Sequence, residues 1–359
     1  MVEDYQRDRE YLDVLKLVAP GTELRKALVR IINSRSGALI VVGDSDDVLE
    51  LVNGGVELNC EFTAAMLFQV VKMDGAVVVD ENLSRIRFAN VHLMPDPTIP
   101  TREAGTRHRT AERVAKQTGK LVLAVSERME IVTMYKGNWS HVILAVRVLI
   151  SKATQALQTL EKYKSRLDQV SATLTALEFE DLVSLQDVVN VLQRAEMMQR
   201  IADEIQVYLA ELGVEGRLIE LQMEELMAGV DREKRSVIRD YMVEERGKSV
   251  EAVERSLARL ENEELLQLTN VAQALGYSGA HDELDRPLAS RGYRILERVP
   301  RLPTSVVEKL VKNFKTLQNI MHASEKMLEE VEGVGKSRAR AIKEGLRRIA
   351  ESSLIERYV

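Results

Sequence analysis

Leu160, Leu167 and Leu174 recur every seven residues, and Tyr163, Val170 and Leu177 recur in step with them. An apolar repeat of this period forms the a/d seam of a helix laid against another helix. The chain around it, from about Val142 to about Tyr277, is dominated by Leu, Glu, Gln and Arg, which favour helix, and few prolines interrupt it. Further amphipathic stretches end near Gly213, Gly229, Gly247 and Gly276. The pattern predicts an elongated, all-α bundle or spine. Its acidic stretches, Glu224-Glu225 among them, read as solvated surface rather than as a metal site.

The segments on either side follow other rules. Ala38–Val42 is a compact apolar run between Gly37 and Gly43, and reads as a buried strand. Ala76–Val79 and Lys120–Val125 read the same way, and Glu130–Tyr135 alternates before the turn signal Lys136-Gly137-Asn138. Helical patterns over Ala64–Met73 and Arg109–Thr118 fall between them, with Gly119 placed as a C-cap. Alternating strands and helices predict an α/β domain with a central mixed sheet. Past Ala280–Pro287 the chain holds two short helix pairs. The expected organisation is multidomain: residues 1–145 α/β, residues 146–286 the helical spine, and residues 287–359 a small all-α domain.

Composition narrows the classes. Cys60 is the one cysteine in 359 residues, so neither an intramolecular disulfide nor a cysteine-rich zinc site can form, which fits a cytoplasmic protein. The charged N-terminus does not read as a signal peptide. Apolar stretches such as Val142–Ile150, broken by Arg147, are too short for a bilayer. The charge is divided: residues 151–286 carry 16 Lys/Arg against 27 Asp/Glu, whereas residues 287–359 carry 15 against 9, a net +6. Only the last segment attracts a polyanion.

That segment contains a glycine-X-glycine hairpin, Gly333-Val334-Gly335, between two short helices. Glycines there permit positive φ and clear the approach path. The following helix offers its free amides and positive dipole end to a phosphate, aided by Lys336, Ser337, Arg338 and Arg340. Ala339, Ile342 and Leu346 give it an apolar face. Such contacts read the nucleic-acid backbone and not the bases. The segment resembles the helix-hairpin-helix family of sequence-tolerant DNA binders. An earlier stretch, Leu296–Leu310, looks like a degenerate copy whose hairpin, Arg301-Leu302-Pro303, lacks glycines.

In the first domain there is no Walker loop, no GxGxxG fingerprint and no histidine metal triad. Two clusters stand out. Met73-Asp74-Gly75-Ala76 enters a valine-rich strand and supplies a carboxylate; taken alone, the Asp-Gly dipeptide reads as an ordinary turn. Gly105-Thr-Arg-His-Arg-Thr-Ala-Glu112 opens a helix with two arginines, a histidine and two hydroxyls where free amides favour an anion. Arginine suits multidentate phosphate binding, and the proline-rich loop Met94–Thr101 is placed to frame a pocket.

Asp74-Gly75-Ala76 and Arg107-His108-Arg109 together resemble the paired DGA and RHR motifs of the diadenylate cyclase family. The resemblance spans about residues 10 to 145 and includes the strand end Val125-Ser-Glu-Arg128. With the spine and the helix-hairpin-helix tail, the chain is similar to the DNA-integrity-scanning members of that family. The resemblance implies two ATP molecules condensed into cyclic di-AMP and two pyrophosphates across a face-to-face pair of domains, within a homo-octamer. It implies that Asp74 holds Mg2+ or Mn2+ and orients the ribose 3′-hydroxyl, that Gly75 with Ala76 lines the nucleotide, and that adenine sits near Leu93. Thr106, Arg107, His108, Thr110 and Ser126 would hold phosphates. Arg109 would support the site or the facing subunit, and His108 is open among a catalytic base, a phosphate donor and a packed side chain. The tail would bind branched DNA and regulate the cyclase. The alternative is a non-enzymatic scaffold for DNA repair that only senses ATP.

Overall fold

The computed structural model describes residues 2–243 and 249–356, so the helix end expected near Gly247 lies outside the described residues. The chain forms two compact units, Met1–Gln155 with Ile205–Leu221, and Ala156–Glu204 with Gln222–Val359.

The first unit is built from α1 (Val2–Leu17), α2 (Glu23–Asn33), β1 (Ala38–Val42), α3 (Asp46–Leu49), β2 (Val52–Asn53), β3 (Val56–Glu61), α4 (Ala64–Val70), β4 (Ala76–Val79), β5 (Arg85–Leu93), α5 (Thr106–Thr118), β6 (Leu121–Val125), β7 (Val132–Lys136) and β8 (Trp139–Ile143). The strands form one mixed sheet in the order β2-β5-β4-β1-β6-β7-β8, with β3 also on β5. Only β1 and β4 run parallel. Every residue of β1, β4 and β6 is buried. Alternate residues feed opposite cores, which is why these strands read as unbroken apolar runs. Ile40, Val77, Val79 and Leu123 pack with Leu15, Leu28, Ile31 and Leu67 of α1, α2 and α4. Val41, Val78, Val122 and Ala124 pack with Val48 of α3 and with Ala111, Val114 and Ala115 of α5.

Register places the site. Ala38 pairs with Val125 and Ala76 with Val91. The starts of β1 and β4 therefore lie at the same end of the sheet as the finishes of β5 and β6. Gly37, Asp74-Gly75, Leu93 and Ser126 share that end.

Three expected boundaries shift. α4 stops at Val70, not Met73, because the chain must turn through Gly75, at φ +98°, to enter β4. α5 begins at Thr106, which puts Arg107, His108 and Arg109 in its first turn; Gly119 caps its far end in the left-handed conformation, as expected. Val142 lies in β8, so helix begins at α6 (Val146–Glu180).

Residues far along the chain complete this unit. α7 (Leu185–Leu212) ends with Ala210 in the same core as α1 and α2. The buried Glu211 accepts from the Leu144 amide (2.6 Å) and meets His141 Nε2 at 2.8 Å, while the Tyr11 hydroxyl lies 3.0 Å from His141 Nδ1. α8 (Arg217–Met227) follows.

The second unit holds most of α6, where Leu160, Leu167 and Leu174 are buried as the seven-residue repeat requires. It continues through α9 (Val230–Tyr241), α10 (Val250–Arg259), α11 (Asn262–Leu265), α12 (Leu268–Leu275), α13 (Tyr293–Leu296), α14 (Thr304–Phe314), α15 (Leu317–His322), α16 (Glu325–Glu329) and α17 (Lys336–Glu356). A buried charge cluster ties α13 to α6 and α9. The Arg294 guanidinium, with no exposed surface, donates to Glu178 (2.5 Å), Glu233 (2.8 Å) and Thr175 (2.8 Å). Tyr241 donates to Glu178 at 2.7 Å, and Asp240 accepts the amides of Gly292, Tyr293 and Arg294. Among the described residues no helix is long and apolar enough to cross a membrane.

Candidate functional site

α5 begins with nothing to satisfy it. Its N-cap is Gly105, which has no side chain to accept from the first-turn amides, and no acidic residue lies there. The first intrahelical bond at this end is Arg109 N to Gly105 O (2.8 Å), so the amides of Thr106, Arg107 and His108 remain free. Arg107 makes no hydrogen bond or ion pair with the described residues; its guanidinium lies directly over Gly37, at the start of β1. A cation with unused donors beside free amides is a preformed anion site.

His108 is half-buried, with its ring edge-on to Tyr135 at 6.4 Å between centroids. Burial lowers its pKa, Glu103 pulls the other way, and Arg107 lowers it further. The imidazole is neutral at neutral pH and can donate one hydrogen bond. Tyr135 donates to Glu103 (2.8 Å), and burial followed by that carboxylate pushes its phenol well above the ordinary range. Glu103 and Tyr135 carry no motif; only the packing of β7 under α5 brings them to His108.

Arg109 turns back to its own loop, reaching the carbonyls of Glu103 (3.4 Å) and Ala104 (3.2 Å). It braces the residues that precede α5. The proline-rich loop is held the same way, by α5 as much as by its prolines. Glu112 accepts from Thr101, from the Arg102 amide (3.2 Å) and from Lys116 (2.6 Å); Arg113 reaches Ile99 O (3.0 Å), and Gln117 accepts from Asp96 N (2.9 Å). Burial would raise the Glu112 carboxyl, but the bonds from Lys116, Thr101 and Arg102 outweigh it and hold it below its ordinary value.

At the sheet end, Asp74 is exposed, and one of its oxygens accepts from Gly75 N (3.1 Å). A side chain at position 75 would meet the β5 backbone, 2.9 Å from Asn90 C and from Val91 O. The fold itself therefore demands this glycine: beyond the turn and any bound nucleotide, the β5 backbone leaves no room for a side chain. Ala76 is buried against β5, and Leu93 at the end of β5 is buried too. The Ser126 hydroxyl accepts from Met129 N (3.2 Å) in the turn after β6. Thr106 is exposed and Thr110 half-buried on α5. Among the described residues no three His, Cys, Asp or Glu side chains group to hold a metal. A lone exposed carboxylate still fits a hard divalent cation, because Mg2+ keeps its waters and is bound by one or two carboxylates together with substrate phosphates.

In the C-terminal module Gly333 takes φ +91° and α17 begins at Lys336. Gly335, Lys336, Ser337, Arg338 and Arg340 are exposed. Val334 is not a surface contact: its side chain is buried in the module's core, so only its backbone faces the hairpin. Arg338 braces that hairpin through Gly333 O (2.6 Å), and Arg340 pairs with Glu344 (3.0 Å). The degenerate copy is a structural repeat. Arg301 adopts φ +61° where the second copy has Gly333. Val307 N bonds Pro303 O (3.1 Å) as Ala339 N bonds Gly335 O (2.9 Å), and both copies fill one core.

Comparison with known proteins matches three segments of the chain. Residues 25–139 match the family described as DisA bacterial checkpoint controller nucleotide-binding, residues 143–284 its linker region, and residues 294–348 the SAM-like helix-hairpin-helix tandem. The chain is 50% identical over 359 residues to the DNA integrity scanning protein DisA of Acidothermus cellulolyticus, covering 99% of this chain and 97% of that protein. It is 47% identical to the DisA of Carboxydothermus hydrogenoformans, covering 97% and 99%. Among solved structures, a hypothetical membrane spanning protein from Bacillus cereus aligns with 34% of this chain and 62% of its own, at 28% identity and a TM-score of 0.31. A double mutant of DacA from Staphylococcus aureus aligns with 39% and 90%, at 18% identity and a TM-score of 0.30.

Proposed function

The chain belongs to the DisA family of DNA integrity scanning proteins and is a diadenylate cyclase, a nucleotidyltransferase carrying a helix-hairpin-helix DNA-binding domain; on that premise we propose that it joins two ATP molecules into cyclic di-AMP across a face-to-face pair of cyclase domains. Each ribose 3′-oxygen attacks the α-phosphorus of the other nucleotide, the bond from that phosphorus to the β-phosphate oxygen breaks, and pyrophosphate leaves. The second nucleophile sits on the second nucleotide, so one domain alone cannot close the ring; a homo-octamer of such pairs is the assembly proposed.

The observation that carries this reading is the free N-terminus of α5, with the unpaired Arg107, against the sheet end that holds Asp74. The α5 amides and Arg107 would bind the phosphates, where fixed donors stabilise charge without reorganising. Neutral His108, Thr106, Thr110 and Ser126 would add hydrogen bonds. The nucleoside would lie over Gly75 and Ala76 toward Leu93. Asp74 would orient the 3′-hydroxyl and hold a divalent cation, Mg2+ or Mn2+, whose chemistry when bound is to neutralise phosphate charge and polarise the reacting phosphate. Holding both nucleotides in attack geometry supplies most of the acceleration. Branched DNA would dock on the hairpin from Gly333 to Gly335 and the start of α17 at Lys336, and would regulate the cyclase; the setting proposed is cytoplasmic.

The test is incubation with ATP and Mg2+ or Mn2+, followed by mass-resolved chromatography, with Asp74→Asn alongside. Cyclic di-AMP from the wild type alone is the expected result. ATP binding without product, in an intact oligomer and with either metal, would replace the cyclase reading with the ATP-sensing scaffold. Turnover with and without a four-way junction tests regulation, and an unchanged rate at saturating junction would refute it.

A further inference from the structure

Most glycines around the cyclase sheet are explained by backbone. Gly75 and Gly43 have positive φ, and Gly75 also abuts a neighbouring strand. Gly37 is different. Its φ lies outside the left-handed region, and none of the three heavy atoms nearest to a Cβ there belongs to the backbone. What crowds it is one side chain: a Cβ at position 37 would lie 2.2 Å from Arg107 Nη1, 2.5 Å from Cζ and 2.7 Å from Nη2. The guanidinium lies on the bare Cα, and it has no hydrogen-bonding or ionic partner among the described residues. An arginine can be fixed by a carboxylate, but that spends donors and cancels charge. A glycine floor fixes it by shape and leaves all five N–H groups free.

We propose that Gly37 is a positioning residue for the nucleotide triphosphate: it is the floor on which the Arg107 guanidinium lies, and any side chain there would push that guanidinium out of the anion site. The proposal rests on the reading that Arg107 binds phosphate.

The experiment is a double-mutant cycle on the full chain with Gly37→Ala, Arg107→Ala and the pair together. The readouts are the affinity for 3′-deoxy-ATP, which lacks the attacking hydroxyl, and the melting temperature. Because the obstruction is the movable end of a side chain, Gly37→Ala should melt like the wild type. It should bind the nucleotide roughly tenfold more weakly, in line with the loss of one charge-assisted contact. In the Arg107→Ala background the same change should cost nothing further. A loss of equal size in both backgrounds, or a fall in melting temperature that Arg107→Ala does not relieve, would overturn the proposal and make Gly37 a plain structural residue. Wild-type affinity in Gly37→Ala would also overturn it. Wild-type affinity in Arg107→Ala alone would instead remove Arg107 from the phosphate site, and the proposal with it.

Discussion

Replacing Arg294 by methionine keeps an unbranched apolar stem and removes a guanidinium that serves three acceptors. Arg294 and Glu178 have no exposed side-chain surface, and Glu233 has 18%. Breaking a buried pair by deleting one partner costs about 3–5 kcal/mol, because the other charge is left without compensation. For a unit of this size each kcal/mol moves the melting temperature by roughly 2–4 °C, so a fall of roughly 6–20 °C is expected. The pH dependence adds a second check. Burial would raise the Glu233 carboxyl, but Arg294 and then Arg298 outweigh it and hold it below its ordinary value of 4.5. A depressed folded value means the stabilisation is complete above the unfolded value and is lost as pH falls through the folded one. The gap between wild type and variant should therefore be widest at neutral pH and narrow below pH 4.5. Adding Glu178→Gln should recover part of the loss by removing a stranded carboxylate. Calorimetry over that range decides. A neutral-pH gap under about 2 °C, or a gap unchanged in acid, would refute the argument.

Gly75→Ala should destabilise the first unit by about 1–3 kcal/mol, from positive φ and collision with β5, and melting without nucleotide would show it. Burial keeps His108 from protonating in the fold, so its contribution is present above pH 6.5 and lost as pH falls below it; His108→Gln should flatten that part of the stability profile, measured by denaturant titration. Lys336→Ala should weaken binding to all DNA sequences alike and lower the salt slope by about one. Arg338→Ala should cost more than Lys336→Ala, because Arg338 also braces the hairpin; equal losses in a salt titration would contradict this.

Residues whose burial is continuous were legible in the sequence. Ala38–Val42 and Ala76–Val79 announce strands because both faces are covered, and Leu160, Leu167 and Leu174 announce a packed helix. Boundaries were less legible: Val142 is apolar enough for either state, and pairing with Thr133 in β7 decides for strand. The motif residues could be chosen, but not their meeting place. Asp74 and Ser126 share one sheet end only through the pairings of β1 with β4 and β6. Gly37 read as a glycine flanking a strand, since nothing local reports an arginine arriving from a helix 70 residues later. Val334 sits in a motif that suggests contact, yet burial claims its side chain because the small core needs it.

The completion of the first unit by Ile205–Leu221 sets an order on synthesis. When the last strand, Trp139–Ile143, leaves the ribosome, the face that Ala210 covers is still bare, and the Leu144 amide and His141 still lack their acceptor. About 70 more residues must emerge, several seconds at typical elongation rates, before Glu211 arrives. The cyclase half is thus finished only after the helical segment leading to the DNA module has begun to form, and a nascent or prematurely ended chain exposes an unfinished surface for proteases and chaperones to find.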